Sequence, residues 1–262
     1  MNFKTITFQE PEQGIGILTL NRPDQLNAIN KDMLDDLHEL FSYLHEHTET
    51  RVLIMTGAGR GFCAGADLND PWIKTENTNS AAHLVNVQKK YADRILEMRR
   101  LPQPIIASVN GPAAGGGMCL ALASDISIVS EKAYFVPSFA NIGLSGGELG
   151  TSYFLPRAVG RSRASEILLT GRTVGAEEAE RIGMISRKVS EADLMATTME
   201  TARRMIAKGP LGLRLTKEAI NQNIDAQSLD TAIEVENKNQ SICCGTPDFH
   251  NSVMSFRKRK SE

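Results

Sequence analysis

The sequence predicts an α/β protein, with one mixed core over the first two-thirds and a helical region at the C-terminal end. Three observations predict it. Short, continuously apolar runs alternate with amphipathic stretches as far as Gly150. Two glycine-rich segments each follow such a run directly. Beyond Thr151 the apolar spacing becomes helical almost throughout.

Thr5–Phe8 and Ile15–Leu20 read as strands joined by the turn-rich Glu10–Gly14. Asn30 is the N-cap of a helix to about Tyr43, whose one face carries Met33, Leu34, Leu37, Leu40 and Phe41. Val52–Met55 has the unbroken apolar character of a buried strand and runs into the glycine-rich Thr56–Gly65. A polar stretch, Lys74–Ser80, leads to a long helix over Ala81–Arg99, ended by Pro102 and Pro104. Ile105–Val109 is again a buried strand; the Gly/Pro-rich loop Asn110–Gly117 follows, then the small-residue segment Met118–Ser124 and the strand Ile126–Val129. Helices are predicted near Arg161–Thr170, Ala176–Ile182, Glu191–Ala207, Leu211–Gln222 and Ser228–Cys243. The expected division is a core over residues 1–200 and a helical region over residues 201–262.

Composition narrows the function. Lys+Arg 29 against Asp+Glu 31 gives a net charge of −2, which argues against a dedicated nucleic-acid binder. No apolar run approaches the roughly 18 residues of a membrane span. Cys63, Cys119, Cys243 and Cys244 form no C-x-x-C pair, which suits a reducing compartment. The N-terminal MNFKTITFQE alternates like a strand and has no basic-then-apolar signal pattern. The expectation is a soluble cytoplasmic protein. His38, His45, His47 and His83 read as solvated residues of polar helix faces, and no histidine joins a metal-like constellation, so no metal is expected.

The chemistry is concentrated in two segments. Gly61-Phe62-Cys63-Ala64-Gly65-Ala66-Asp67-Leu68 follows one strand, and Asn110–Cys119 turns from another strand into a helix. Small residues let a ligand approach the main chain, and free N–H groups at a helix start suit a developing negative charge. Two backbone donors aimed at one oxygen make an oxyanion hole. The plain alternative for either segment is a glycine turn that allows tight packing. Asp67 and Asp125 follow turns, where aspartate serves local hydrogen bonding.

Together the segments resemble the enoyl-CoA hydratase/isomerase (crotonase) family. Further matching elements run almost end to end: Leu20–Pro23 with Leu26–Ala28, Ser124-Asp125, Ile142–Leu144, Leu155–Arg157 with Val159-Gly160, and Leu168–Val174 before Ala176–Gly183. The resemblance implies a spiral of β-β-α units making two roughly perpendicular sheets, with C-terminal helices that build a trimer or a dimer of trimers. It implies an acyl-CoA substrate whose coenzyme A is a handle, with no separate cofactor. It places the N–H groups of Ala66 and Gly116 in the oxyanion hole, and Ala28, Ala64, Asp67, Leu68 and Phe139 on the substrate side. Phe256 would join the pocket, and Arg22 and Lys260 would meet the coenzyme A phosphates. Trp72 lies where the family borders the acyl chain; a core anchor is the alternative.

The departures bear on mechanism. The family's hydratases carry two glutamates, at places where this chain has Cys119 and Phe139. One replacement stands eight residues before Pro156, where some family isomerases place an aspartate: Glu148. Its plain alternative is a glutamate in the first turn of the next helix. One carboxylate suffices to move a proton between two carbons, so the pattern favours double-bond isomerisation while leaving hydration open. Two rivals remain: a thioester hydrolase using Ser145, within Gly143-x-Ser145-x-Gly147, and a non-catalytic acyl-CoA-binding protein.

Overall fold

The computed structural model describes residues 1–73 and 80–259. They form two compact units, Met1–Ala202 and Arg203–Glu262.

The first unit is built on nine strands and seven helices among the described residues: β1 (Ile6–Glu12), β2 (Ile15–Leu20), α1 (Lys31–Glu46), β3 (Val52–Gly57), α2 (Ala81–Arg100), β4 (Ile105–Val109), β5 (Ala113–Ala114), α3 (Gly116–Ala123), β6 (Ile126–Ser130), β7 (Tyr134–Val136), α4 (Thr151–Val159), α5 (Arg161–Thr170), β8 (Val174–Gly175), α6 (Ala176–Arg181), β9 (Arg187–Val189) and α7 (Leu194–Ile206). One sheet runs β1-β2-β3-β4-β6-β9 and a smaller one runs β5-β7-β8. β1 and β2 pair antiparallel, and every later neighbour in the large sheet is parallel. Parallel strands are covered on both faces, which is why β3 and β4 are apolar at nearly every position and almost wholly buried. The mixed α/β fold with a C-terminal helical region expected from the sequence is the one observed.

Local chemistry explains the element that matters most for position. α1 starts where Asn30 accepts a hydrogen bond from the Met33 N–H at 2.9 Å. Its buried face, Met33, Leu34, Leu37, Leu40, Phe41 and Leu44, joins the main core. The buried Asp36 accepts from the N–H and hydroxyl of Thr5, and the half-buried Asp125 accepts from Ile105 N–H and pairs with Arg99. Asp125 is therefore a structural brace.

α3 begins at Gly116, two residues before the apolar run that marks it in sequence. A helix's first residues need no intrahelical donor, so glycine is tolerated there. A Cβ at Gly117 would lie 2.1 Å from the Cys63 carbonyl oxygen, so no larger residue fits. Strands β5, β7, β8 and β9 escape a sequence reading because two or three residues show no periodicity. α4 is hidden by Pro156 inside it.

In the second unit, α8 (Pro210–Asn223), α9 (Leu229–Cys244) and α10 (Pro247–Arg259) follow. The Asn239 side chain donates to Leu215 O at 3.2 Å, fastening α9 to α8. Among the described residues, no helix is long and apolar enough to cross a membrane.

Candidate active site

The two glycine-rich segments meet beside the ends of β3 and β4. Phe62 and Cys63 N–H both donate to Pro112 O, and Ala114 N–H donates to Cys63 O at 2.9 Å. On the other side, Ile29 N–H donates to Gly65 O at 2.7 Å and Asp67 N–H donates to Ile29 O at 2.9 Å. In such a parallel bridge the bonds go to the residues flanking Ala66, so Ala66's own N–H points away from Ile29. Gly65 has φ +91°, and a Cβ there would lie 2.8 Å from Ala114 O and 3.1 Å from Gly116 N. Only glycine lets the segments come this close.

Gly115, at φ +48°, turns the chain into α3 and donates its N–H to Val136 O at 2.8 Å. Gly116 is then the first helical residue, whose N–H has no intrahelical acceptor. Among the described residues, neither Ala66 N–H nor Gly116 N–H donates to any protein acceptor. Ala66 is exposed.

Phe139 and the loop before α4 form the facing wall. The buried Phe139 ring stands 3.6 Å from where a Gly115 Cβ would be, and Leu149 Cδ1 stands 3.8 Å from the same point on Gly116. Glu148 is held outside α4 rather than in its first turn. Its N–H donates to Thr151 Oγ1 at 3.0 Å, and Thr151 N–H donates to Glu148 O at 2.8 Å. Leu149 and Gly150 follow at φ +46° and +87°, a left-handed pair that turns the chain sharply after Glu148.

The carboxylate is half-buried and has no cationic partner among the described residues. Burial raises its pKa above the ordinary glutamate value, against hydrogen bonds from Leu149 N–H and the Gln88 amide that favour ionisation. Cys119 meets the main chain of this loop, with Sγ 3.2 Å from the Gly115 carbonyl oxygen and 3.7 Å from the Glu148 carbonyl oxygen. Burial first, and the Glu148 charge second, push this thiol well above its usual range, so it is a neutral wall.

Several expected binders have other tasks. Arg22 does not present a free guanidinium: it donates to Ala28 O and pairs with Asp67 at 2.8 Å, both side chains mostly buried. Asp67 also accepts from Asn69 N–H at 3.1 Å. This pair braces the Ala64–Leu68 loop. Arg22→Met or Asp67→Leu alone should cost about 3 kcal/mol by leaving a charge uncompensated, and the double substitution should cost less than the sum. Urea unfolding of the three variants measures this; additive losses would show that the pair is not coupled.

Ala28 is buried, Ala64 half-buried and Leu68 exposed. Phe256 is an exposed residue of α10, in the second unit, and Lys260 lies outside the described residues. Trp72 is half-buried against the main core. His83 corrects an expectation: it is not a freely solvated side chain but donates from Nε2 to Trp72 O at 2.9 Å and meets the indole edge-on. Ser145 lacks the setting that the rival hydrolase reading needs. Its exposed hydroxyl accepts from Gly147 N–H at 3.2 Å, no histidine bonds to it among the described residues, and no strand precedes it as a nucleophile elbow requires. Gln88 and Leu149 carry no signal in sequence that could have identified them. Asn27 does carry one, a polar residue inside the Leu26–Ala28 match, and its side chain ties together Arg22 N–H, Ala58 O and Gly61 O.

The chain is similar to known proteins along almost its whole length. The family model described as enoyl-CoA hydratase/isomerase matches residues 10–262. A probable enoyl-CoA hydratase of Mycobacterium leprae is 44% identical over 258 residues, covering 97% of this chain and 87% of that protein. The 1,2-epoxyphenylacetyl-CoA isomerase of Escherichia coli is 38% identical over 251 residues, covering 95% and 94%. The crystal structure of a probable enoyl-CoA hydratase/isomerase from Mycobacterium abscessus superposes with TM-score 0.90 at 38% identity, covering 98% and 97%.

Proposed function

The chain belongs to the enoyl-CoA hydratase/isomerase family, and from that premise we infer that it moves a proton within an acyl-CoA thioester, using two main-chain donors and a single carboxylate. The observation that carries the reading is the pair of unbonded N–H groups, Ala66 and Gly116, at a site whose other wall carries one half-buried acid. The thioester oxygen accepts from both donors. Glu148 takes the Cα proton of a β,γ-unsaturated acyl group, the electron pair is spread over a dienolate whose oxygen the two N–H groups hold, and the proton returns at Cγ. The double bond then lies between Cα and Cβ, and Glu148 is again ionised. An oxyanion donor is worth about 2.7–4 kcal/mol and a general base about 10²–10⁴-fold.

Hydration also needs a water activated at Cβ, and Cys119 and Phe139 supply neither a base nor an acceptor for it. The 38% identity to the 1,2-epoxyphenylacetyl-CoA isomerase supports isomerase chemistry in general, and the 44% identity to a probable hydratase keeps hydration as the second reading. Coenzyme A is part of the substrate in both, and no further cofactor enters. We place the enzyme in the cytoplasm as a trimer or dimer of trimers assembled through residues 201–262, an assembly supported by the exposed Ile220, Leu229 and Ile233 of α8 and α9.

A panel of short, long and cyclic enoyl-CoAs in deuterium oxide tests the chemistry by mass spectrometry. Double-bond migration with deuterium at carbon is the expected result. Formation of a 3-hydroxyacyl-CoA alone would overturn the isomerase reading in favour of hydration, and tight binding with neither product would leave a binding protein.

A further inference from the structure

We propose that Gln88, on α2, is a positioning residue of the active site: its side-chain amide holds the Glu148 carboxylate in place. The proposal rests on the reading of Glu148 as the proton-transfer group. Its geometry stands on two contacts from one face of one helix. Gln88 Nε2 donates to Glu148 Oε2 at 3.4 Å across 60 residues of sequence. Three residues on, the buried Tyr91 donates its hydroxyl to Ile29 O at 2.7 Å. Ile29 is the residue whose main chain bonds both sides of Ala66. Residues three apart lie on the same side of a helix. Tyr91 therefore pins α2 to the segment that carries one oxyanion donor, and Gln88 extends from the pinned helix to the carboxylate. The donor and the acid are set against each other through α2.

The amide is matched to its task. A carboxylate in a half-buried place without a counter-ion needs hydrogen-bond donors to remain ionised. A lysine there would lower the pKa further and weaken the base, whereas an apolar residue would leave the proton on. No other charge competes among the described groups around Glu148. The Phe139–Gly150 segment contains no other charged residue. Cys119 of α3 is the titratable group packed against it and is neutral. On α2, Lys89 pairs with Asp93 and Lys90 with Asp35; on α4, Arg157 stacks over Tyr153.

The test compares wild type, Gln88→Met and Gln88→Lys, with two readouts over a pH series. The first is kcat/KM on an isomerisable enoyl-CoA. The second is the titration of the Glu148 carboxyl carbon by NMR, assigned by its loss in Glu148→Gln. Gln88 is exposed on the helix surface, so both variants should fold. Gln88→Met should move the acid limb of activity upward in pH, with about tenfold lower kcat/KM on that limb. Gln88→Lys should move it downward. Opposite displacements by two substitutions at one exposed position are not what a merely structural role produces. If the carboxyl titration stays put in both variants, the proposal is overturned. If it moves in opposite directions while the activity limb does not, the Gln88 contact stands and the assignment of Glu148 as the acid–base group fails.

Discussion

Glu148→Gln should lower turnover by about 10²–10⁴-fold while acyl-CoA binding persists, because the substitution keeps shape and hydrogen bonding but removes the titrating group. Stopped-assay kcat and calorimetric affinity for a saturated acyl-CoA measure the two halves. Near-normal turnover would assign the proton to another group. The pH behaviour follows from burial. Glu148 must be ionised to act as a base, so activity should rise with pH, on a limb displaced above the ordinary glutamate range. Stability runs the other way. The folded state holds this proton more tightly than the unfolded chain, so its contribution to stability is present below the unfolded value and is lost as pH rises through the raised folded value. Above the raised folded value the ionised carboxylate is a burden on the fold, and there Glu148→Gln should melt no lower than wild type. A markedly lower Tm would mean that the charge is stabilised by a partner.

Gly116→Pro should cost on the order of 10²–10³-fold in kcat, the loss expected for one oxyanion donor. Proline is suited to this position as a probe because Gly116 is the first residue of α3, where its fixed φ is preorganised and no intrahelical N–H is lost. A Cβ at this position would meet Ile29 Cδ1 at 3.2 Å, Gly65 Cα at 3.6 Å and Leu149 Cδ1 at 3.8 Å, so the one close neighbour is the end of a side chain that can move. Circular dichroism should therefore report an intact fold. A folded variant with full activity would place the oxyanion elsewhere. Loss of Ala66's donor has no equally clean substitution, since Ala66 lies in an isolated bridge between Gly65 and Asp67, both of which bond Ile29.

Much of the architecture is written in local pattern. The apolar runs at Val52–Met55 and Ile105–Val109 become central parallel strands because both faces are covered, and Asn30 caps α1 because its side chain can replace a missing helical acceptor. The two glycine-rich segments also announce themselves, since few other contexts need small residues next to strand ends. What one-dimensional spacing lacks is the direction of each side chain. Arg22 and Asp67 stand 45 residues apart and read separately as ligand contacts; the fold brings them together, and Coulomb attraction in a mostly desolvated place commits each to the other.

Sequence by itself determined the fold class, through apolar runs and glycine-rich turns that are local patterns, and its resemblance to the family marked Ala66, Gly116 and Glu148 as candidates. Tertiary structure decided the environment of those groups. It set the burial that raises the Glu148 pKa, placed the neutral Cys119 thiol against the Glu148 main-chain carbonyl, and brought Gln88 of α2 within reach. Solvation and charge act through space, between residues that no spacing rule connects, so the acidity of the site was settled only when the chain closed around it.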